Sequence, residues 1–401
     1  MNTCMVAYTF YEGDNRVMRY AEALAARGDH VDVFAAAKSG QSKCATISGV
    51  RVYRIQTRRK DEKHAVTHLL RLLIFLIRAT LLVAAKHLRN RYEIVHIHSV
   101  PDFLVFAALL PRMTGARVIL DIHDLSPELY ATKFGSAQPS LTFKALQLVE
   151  KTSAVSADHV IAPNHIWQKR LIQRSVDASK CSVFMNYPDP AIFSPHGRNR
   201  EDQKTILLYP GTLNVHQGLD IAIRAFAMNV NAFPASEFHI YGEGSEKAKL
   251  IRLAVELGVE SRVLFHAPLP LREIAAVSEN CDLGVIPKRN DGFGDEAFST
   301  KSLEFMMLGV PIIIADTTVD KYYFNDDVVT FFRSGDVADL ARRMRQLMED
   351  KLLRGEQANR ARIFVESYRW DRRQGDYLRL VDRLVARDKR ADRVSVGEVQ
   401  L

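Results

Sequence analysis

Cysteine is scarce in this chain, and its distribution carries no pattern. The 401 residues include four cysteines, which form no CxxC pair and no metal-ligand spacing; they are Cys4, Cys44, Cys181 and Cys281. Free thiols of this kind are typical of a reducing compartment. The first ten residues lack the charged, apolar and small-residue regions of a secretory leader and have the pattern of a first buried strand. We therefore expect a cytoplasmic protein.

Compositional bias is absent as well. Apolar residues make up 47% of the chain and charged residues 25%, which argues against fibrous, collagen-like and disordered classes. The net charge of +8 is a moderate excess that could favour binding to nucleic acid, to anionic lipid or to a phosphorylated substrate. Basic residues concentrate in residues 51–63 and 369–393, but no zinc finger, RNA-binding signature or basic-aromatic alternation accompanies them. We therefore expect no nucleic-acid partner.

Alternating strand and helix patterns run through the chain twice. A turn-rich stretch, residues 186–195, and a polar run, residues 196–204, separate the two series. Such alternation predicts two α/β domains with mostly parallel sheets. The predicted strands are residues 4–9, 31–36, 50–55, 94–97, 116–122, 159–161 and 182–185, then 205–209, 237–241, 262–265, 283–287 and 311–315. The predicted domains are residues 1–190, with a helix over 370–388 packing back on them, and residues 204–368; residues 389–401 should form a flexible tail.

One loop carries two carboxylates eight positions apart, at the kind of place where open α/β sheets bind ligands. Glu296 and Glu304 flank a predicted helix start in the run EAFSTKSLEFMMLGVP, residues 296–311. The free N–H groups of a helix start suit a diphosphate. Glu296 could then accept hydrogen bonds from sugar hydroxyls and Glu304 from a ribose diol. The alternative is that Glu296 caps the helix and Glu304 is a solvated side chain.

This run resembles the E-x7-E motif of the family-four glycosyltransferases, typically E-P-F-G-x-x-x-x-E-A-M-A-x-G-x-P. These are retaining, nucleotide-sugar-dependent enzymes of the GT-B fold, with two Rossmann-like domains facing across a cleft. Further segments are similar to the same family in the same order: the linker at residues 186–193, YPGTLNVHQGLD at 209–220 and IYGEG at 240–244. The resemblance covers nearly the whole chain.

The resemblance implies roles for particular residues. The catalytic candidates are His123, Glu296 and Lys301; His123, in the run DIHD, is similar to the family's histidine that faces the transferred sugar, although a structural role stays open. The donor-binding candidates are Gly13, Gly211, Thr212, Gln217, Gly242, Gly244, Ser299, Thr300 and Glu304. His96 and His98 share one strand face and are weaker candidates, since a metal site would need a third ligand. We expect no metal and no cofactor, because the nucleotide sugar is a substrate.

The chain departs from the family pattern in the loop over residues 211–218. Many relatives carry an arginine and a lysine there that neutralise the leaving diphosphate, and the corresponding residues here are Thr212 and Gln217. Neutralising that charge is the main electrostatic task of such an enzyme. We hypothesise that Lys301 supplies it, with His216 or Arg16 as weaker substitutes.

The most apolar stretch of the chain, residues 69–85, is not a clean membrane span. Arg78 lies in its middle, and Arg71, Arg78 and Arg89 fall on one helical stripe opposite a broad apolar face. A basic amphipathic helix of this kind can lie on an anionic bilayer. The alternative is a core helix of the first domain with one snorkelling edge.

These features predict a retaining glycosyltransferase of the EC 2.4 class. It would move a sugar of hexosyl type from a nucleoside-diphosphate sugar to a saccharide acceptor. We expect this acceptor to be a lipid-linked saccharide of exopolysaccharide, lipopolysaccharide or related envelope glycan synthesis. Its location would be the cytoplasm, with peripheral attachment to the inner face of the plasma membrane as an option. One alternative is a non-catalytic scaffold or regulatory subunit, which the missing cations of the loop over residues 211–218 favour. Another is a nucleotide-sugar epimerase, although no specific feature of the sequence supports it.

Overall fold

The computed structural model describes residues 1–58, 65–134 and 140–397. The chain divides into two compact units. The first unit comprises Met1–Asn186 together with the C-terminal segment from Gln374, and the second unit comprises Tyr187–Arg373. Part of the predicted basic run at 51–63 lies outside the described residues, as do residues 398–401 of the predicted tail.

The first unit is built on an eight-stranded sheet. Its strands are β1 Asn2–Phe10, β2 His30–Ala37, β3 Cys44–Ile47, β4 Val50–Thr57, β5 Ile94–His98, β6 Arg117–Asp121, β7 His159–Ala162 and β8 Cys181–Val183. Their order is β3-β4-β2-β1-β5-β6-β7-β8, and every pair is parallel except the β3–β4 hairpin. Strands β5 and β7 are buried throughout, as expected of central strands covered on both faces.

Six helices connect these strands. They are α1 Asn15–Ala26, α2 Ala65–Arg89, α3 Leu109–Met113, α4 Ser126–Phe134, α5 Leu141–Val155 and α6 His165–Arg174. Helix α1 starts where Asp14 accepts a hydrogen bond from the Val17 amide at 3.3 Å, and it ends at Ala26, two residues before Gly28, whose φ of +96° suits glycine. The start of α1 therefore lies at the carboxyl end of β1, where a βαβ unit places its ligand site.

The second unit is built on a six-stranded, fully parallel sheet. Its strands are β9 Thr205–Pro210, β10 Ser236–Tyr241, β11 Val263–His266, β12 Leu283–Ile286, β13 Ile312–Ala315 and β14 Thr330–Phe332, in the order β11-β10-β9-β12-β13-β14. Its helices are α7 Leu219–Ala227, α8 Lys247–Glu256, α9 Leu271–Glu279, α10 Thr300–Met307, α11 Thr318–Tyr323, α12 Val337–Glu349 and α13 Lys351–Val365. The prediction of two α/β domains with parallel sheets is confirmed.

The last helix, α14 Trp370–Gly397, contributes side chains to the first unit. The Tyr377 ring is fully buried, lies 4.3 Å from the Tyr20 ring of α1, and its hydroxyl is 2.9 Å from Nδ1 of His96. The boundaries between the units fall at Asn186/Tyr187 and Arg373/Gln374. The helix extends to Gly397, so most of the predicted tail lies within it.

Candidate active site

The acidic run of the second unit forms a turn followed by the short helix α10. Ser299 has an extended backbone and is the residue that precedes the helix, while Glu296 lies in the turn before it and Glu304 lies one turn inside it. The Ser299 hydroxyl is buried and, within the described ranges, has no hydrogen-bond partner. Its side chain therefore does not cap the helix, and the first amides of α10, including that of Thr300, are left to a ligand.

Lys301 reaches from α10 to the loop that follows β9. A Cβ placed on Gly211 would lie 2.9 Å from the Lys301 ammonium nitrogen, and Gly211 has a φ of +155° that disfavours any other residue. The ammonium also lies 5.1 Å from the centre of the Tyr209 ring. Burial lowers the pKa of Lys301 to about 8, although the Glu304 carboxylate opposes this shift. Lys301 forms no ion pair within the part of the chain that the structure describes.

The loop in which the family's cations are missing lies beside this lysine. The Tyr209 hydroxyl is 2.9 Å from both the Thr212 carbonyl oxygen and Oε1 of Gln217, and it can donate to only one of them at a time. The structure thus brings Gly211, Gln217 and Lys301 around one tyrosine ring. His216 is a poor substitute for a cation, because burial lowers its pKa and keeps the ring neutral.

Two further predicted donor-binding residues, Gly242 and Gly244, have a packing role. A Cβ on Gly242 would overlap the Gly211 carbonyl, and one on Gly244 would lie 2.7 Å from the Leu213 amide nitrogen. The loops after β9 and β10 are also joined by a hydrogen bond from the Leu213 amide to the Glu243 carbonyl at 2.9 Å. The two glycines are therefore explained by close contact between the loops, whatever else they do.

A buried ion pair that the sequence did not predict supports the acidic run. The Lys288 ammonium lies 2.7 Å from Oδ2 of Asp320 and donates to the Ala297 carbonyl at 2.8 Å, and both charged side chains are buried. Lys288 follows β12 and Asp320 belongs to α11, so this pair holds the turn containing Glu296 against the sheet. The available signal was a lysine directly after the apolar run LGVIP, residues 283–287.

The predicted histidine of the first unit belongs to a buried charge cluster. Nε2 of His123 lies 3.2 Å from Oδ2 of Asp121, the last residue of β6, and Nδ1 of His98, the last residue of β5, lies 3.2 Å from the same oxygen. Arg16 of α1 binds this carboxylate with two hydrogen bonds, Nε to Oδ2 at 2.7 Å and Nη2 to Oδ1 at 2.6 Å. Arg16 is neutralised here, so it is not available as the substitute cation that the sequence suggested.

The histidines of this cluster have pKa values that are shifted in opposite directions. Burial opposes the charged ring of His123, but the adjacent Asp121 carboxylate prevails and raises the pKa of His123. Burial lowers the pKa of His96 and of His98. A neutral His98 can donate from Nδ1 to Asp121, and a protonated His123 can donate from Nε2.

One atom each of His96, His98 and Asp121 lie within 4.8 Å of one another, a grouping that a metal ion could use. Both Asp121 oxygens already accept hydrogen bonds from the Arg16 guanidinium. A divalent ion would have to displace or repel that cation, so the geometry favours an ion-pair cluster. The prediction of no metal stays a prediction.

Gly13, predicted to bind the donor, ends a 3-10 helix over Tyr11–Gly13. A Cβ on this residue would meet no atom within 4 Å. Packing within the structure therefore does not require a glycine at this position, and its proposed donor contact remains a prediction.

Comparison with known proteins identifies the family. The model of glycosyl transferases group 1 matches residues 193–364, and the model of the glycosyl transferase 4-like domain matches residues 13–186. The chain belongs to the group 1, or GT4-like, glycosyltransferases. The family predicted from the sequence is therefore confirmed.

Characterised relatives of this glycosyltransferase are distant. It is 25% identical over 324 residues to the D-inositol 3-phosphate glycosyltransferase of Thermomonospora curvata, an alignment covering 75% of this chain and 73% of that protein. It is 22% identical over 298 residues to the sulfoquinovosyl transferase SQD2 of Arabidopsis thaliana, covering 70% of this chain and 55% of that one.

Solved structures share its fold. The sucrose-phosphate synthase of Thermosynechococcus elongatus superposes with a TM-score of 0.81 at 19% identity, covering 96% of this chain and 99% of that one. HepE of Anabaena, in complex with UDP-glucose, superposes with a TM-score of 0.70 at 15% identity, covering 98% and 100% of the two chains. The predicted GT-B fold is confirmed.

Proposed function

We propose that this glycosyltransferase moves a sugar from a nucleoside-diphosphate sugar to an acceptor hydroxyl with retention of anomeric configuration. The observation that carries the proposal is the start of α10, where free amides, the unpartnered Ser299 hydroxyl and the Lys301 ammonium occur together. This is a ready site for a diphosphate. HepE, a neighbour by fold, is solved with UDP and with UDP-glucose, which supports a nucleotide-sugar donor.

The assigned roles follow from chemistry and from the family resemblance. Glu296 accepts from sugar hydroxyls, Glu304 from the ribose, and His123 is assigned to the transferred sugar. Lys301 and the α10 amides stabilise the diphosphate as its bond to the sugar breaks, and a departing phosphate oxygen takes the proton of the acceptor hydroxyl. Catalysis then depends on positioning and on charge stabilisation. No metal or organic cofactor is assigned.

A non-catalytic scaffold is the second candidate, because Thr212 and Gln217 replace the usual cations. A panel of nucleotide sugars, with and without membrane lipid extract, separates the two by release of nucleoside diphosphate. Release with one donor supports the enzyme, whereas no release with any donor supports the scaffold. Glu304→Gln should raise the KM for that donor, and Glu356→Gln, an exposed glutamate of α13, is the matched control that should leave it unchanged.

We further propose that the enzyme is cytoplasmic, binds an anionic membrane surface through α2 and uses a lipid-linked saccharide of envelope glycan synthesis. One stripe of α2, Leu72, Phe75, Ala79 and Val83, is buried against the first unit. The opposite stripe is apolar yet exposed, with Leu70 57% and Ile77 58% accessible, and Arg78 and Arg89 are exposed along its edge. The helix is long and apolar enough to cross a membrane, but its buried stripe favours attachment on the surface.

The interpretation of α2 as a core helix therefore holds only for its inner stripe. Leu70→Glu with Ile77→Glu should abolish flotation with anionic vesicles. The matched control is Leu352→Glu with Ile363→Glu, which changes two apolar residues of the second unit that are even more exposed, 81% and 76% accessible. Recovery of the wild-type protein wholly in the soluble fraction at low salt would contradict membrane binding.

A further inference from the structure

Two cations end neighbouring strands of the first unit. Strands β2 and β4 pair in parallel with Ala37 opposite Thr57, so the next residues, Lys38 and Arg58, leave the sheet side by side. The Arg58 amide donates to the Ala37 carbonyl at 2.9 Å and keeps the two backbones together at this point. Neighbouring strands lie about 4.8 Å apart. Both cations thus start from the carboxyl edge of the sheet, where α/β proteins bind ligands.

Each cation lies over an aromatic ring of β1. The Arg58 guanidinium carbon is 4.8 Å from the centre of the Tyr8 ring, and Nη1 donates to the Tyr8 carbonyl at 2.7 Å. The Lys38 ammonium is 5.8 Å from the centre of the Phe10 ring. The Tyr8 ring is in turn packed against Phe75 of α2, with centres 5.0 Å apart. Arg58 is therefore anchored before any ligand arrives.

In the part of the chain that the structure describes, no acid forms an ion pair with either cation. Within residues 1–58, 65–134 and 140–397, neither Lys38 nor Arg58 has a carboxylate at ion-pair distance, whereas Arg16, Arg27, Arg51 and Arg54 of the same unit all do. Glu12, on the turn after β1, is bound by the buried Arg54. Asp14 accepts from the Val17 amide at the start of α1. Among the described residues, the edge formed by β1, β2 and β4 therefore presents two cations that no carboxylate pairs with.

We propose that Lys38 and Arg58 bind a phosphate group of the acceptor, so that the acceptor is a phosphate- or diphosphate-bearing saccharide. The inference rests on the proposed function, in which the first unit receives the acceptor. An arginine fork binds two phosphate oxygens at once, and a lysine adds a point charge beside it. The phosphate can belong to a lipid headgroup or to a soluble sugar phosphate.

The direct test is titration of the full-length chain with inorganic phosphate by calorimetry. It is made in a Lys301→Met background, so that the diphosphate site of the second unit does not contribute. Lys38→Ala with Arg58→Ala should weaken binding by about tenfold or more, since two charge-assisted contacts are lost. Lys43→Ala removes an exposed cation from the neighbouring loop and should change nothing. Equal affinity in the double variant, or equal loss in the control, overturns the proposal.

Vesicles distinguish the two sources of phosphate. If the source is a lipid headgroup, the double variant should lose binding to phosphatidylcholine vesicles that contain phosphatidic acid and keep its binding to phosphatidylcholine alone. If the source is soluble, only the calorimetric titration should respond. Both results support phosphate binding, and equal phosphate affinity in the calorimetric titration overturns it.

Transfer to a lipid extract separates this inference from the proposed function. If the wild type consumes donor and the double variant transfers sugar with an unchanged acceptor KM, the phosphate site is wrong and the enzyme assignment stands. If the wild type consumes no donor, the enzyme assignment fails, and the phosphate titration still decides whether the pair binds phosphate.

Discussion

The carboxyl edges of the two sheets both hold a cation, buried in the first unit and partly buried in the second, but in opposite electrostatic states. In the first unit Arg16 is bound by the Asp121 carboxylate, which also contacts His98 and His123. In the second unit Lys301 lies on a tyrosine ring and a glycine, with no ion pair in the described part of the chain. A paired charge positions its neighbours, whereas an unpaired one is available to an anionic ligand.

The second unit shows the same contrast between a paired and an unpaired cation in two lysines, Lys288 and Lys301. Lys288 is paired with Asp320 and holds the turn before α10. Lys301 is partly buried and has no ion pair among the described residues, and desolvation lowers its pKa to about 8. Burying an unpaired cation costs stability. A site that accepts this cost and lies at a helix start is best explained by a ligand that supplies the missing negative charge.

The largest effect should come from breaking a paired charge. Asp121→Ala leaves the Arg16 guanidinium buried without a partner and should destabilise the first unit by about 3–5 kcal/mol. Hydrogen exchange of β5 and β6 localises the loss. Asp382→Ala removes an exposed partner of Arg27 in the same unit and should cost about 0–1 kcal/mol. Similar losses in the two variants would contradict the difference between buried and exposed pairs.

Removing the unpaired charge of Lys301 should lower activity and leave stability intact. Lys301→Met should lower kcat by about a hundred- to a thousandfold, as loss of one preorganised charge donor does in other enzymes. Stability should stay the same or rise, because a partly buried cation without an ion pair is removed. Turnover is measured as nucleoside diphosphate release and stability by urea unfolding. A variant that is active but unstable would place Lys301 with Lys288 as a structural residue.

The pH dependence of the same lysine sharpens the contrast. Burial lowers the pKa of Lys301 from its ordinary 10.5 to about 8, so kcat/KM should fall as the pH rises through about 8. The free energy of unfolding changes in the opposite direction. Between about pH 8 and pH 10.5 the unfolded chain binds more protons at Lys301 than the folded chain does, so the contribution of Lys301 to stability rises with pH. Lys301→Arg keeps its charge and should remove the fall in activity. An unchanged profile in that variant would assign the fall to another group.

The smallest effect concerns the tyrosine beneath the lysine. Tyr209→Phe removes the hydroxyl that lies 2.9 Å from the Thr212 carbonyl and from Gln217. A hydrogen bond of this kind contributes about 1 kcal/mol, so the KM for the donor should rise only a few-fold. A loss as large as that of Lys301→Met would show that the loop, and not the ammonium, limits turnover.

The sequence predicted the fold and family because strand alternation, the acidic run and the glycine turns are local patterns. It did not predict the pairs Lys288–Asp320 and Arg16–Asp121, whose members are far apart along the chain and meet only when neighbouring strands and helices assemble. It proposed Arg16 as a free cation for the same reason. The outer face of α2 was left open, since an apolar helix pattern does not show which of its stripes is covered.

We propose that Lys301 supplies the charge that many relatives place in the loop over residues 211–218. To test this, an arginine is returned to that loop in the inactive background, as Thr212→Arg with Lys301→Met, and kcat is compared with that of Lys301→Met alone. We expect at least a tenfold recovery, about 1.4 kcal/mol, because Thr212 is exposed on the same loop as Gly211 and an arginine there can reach the diphosphate. No recovery, with donor binding intact in both variants, would contradict it.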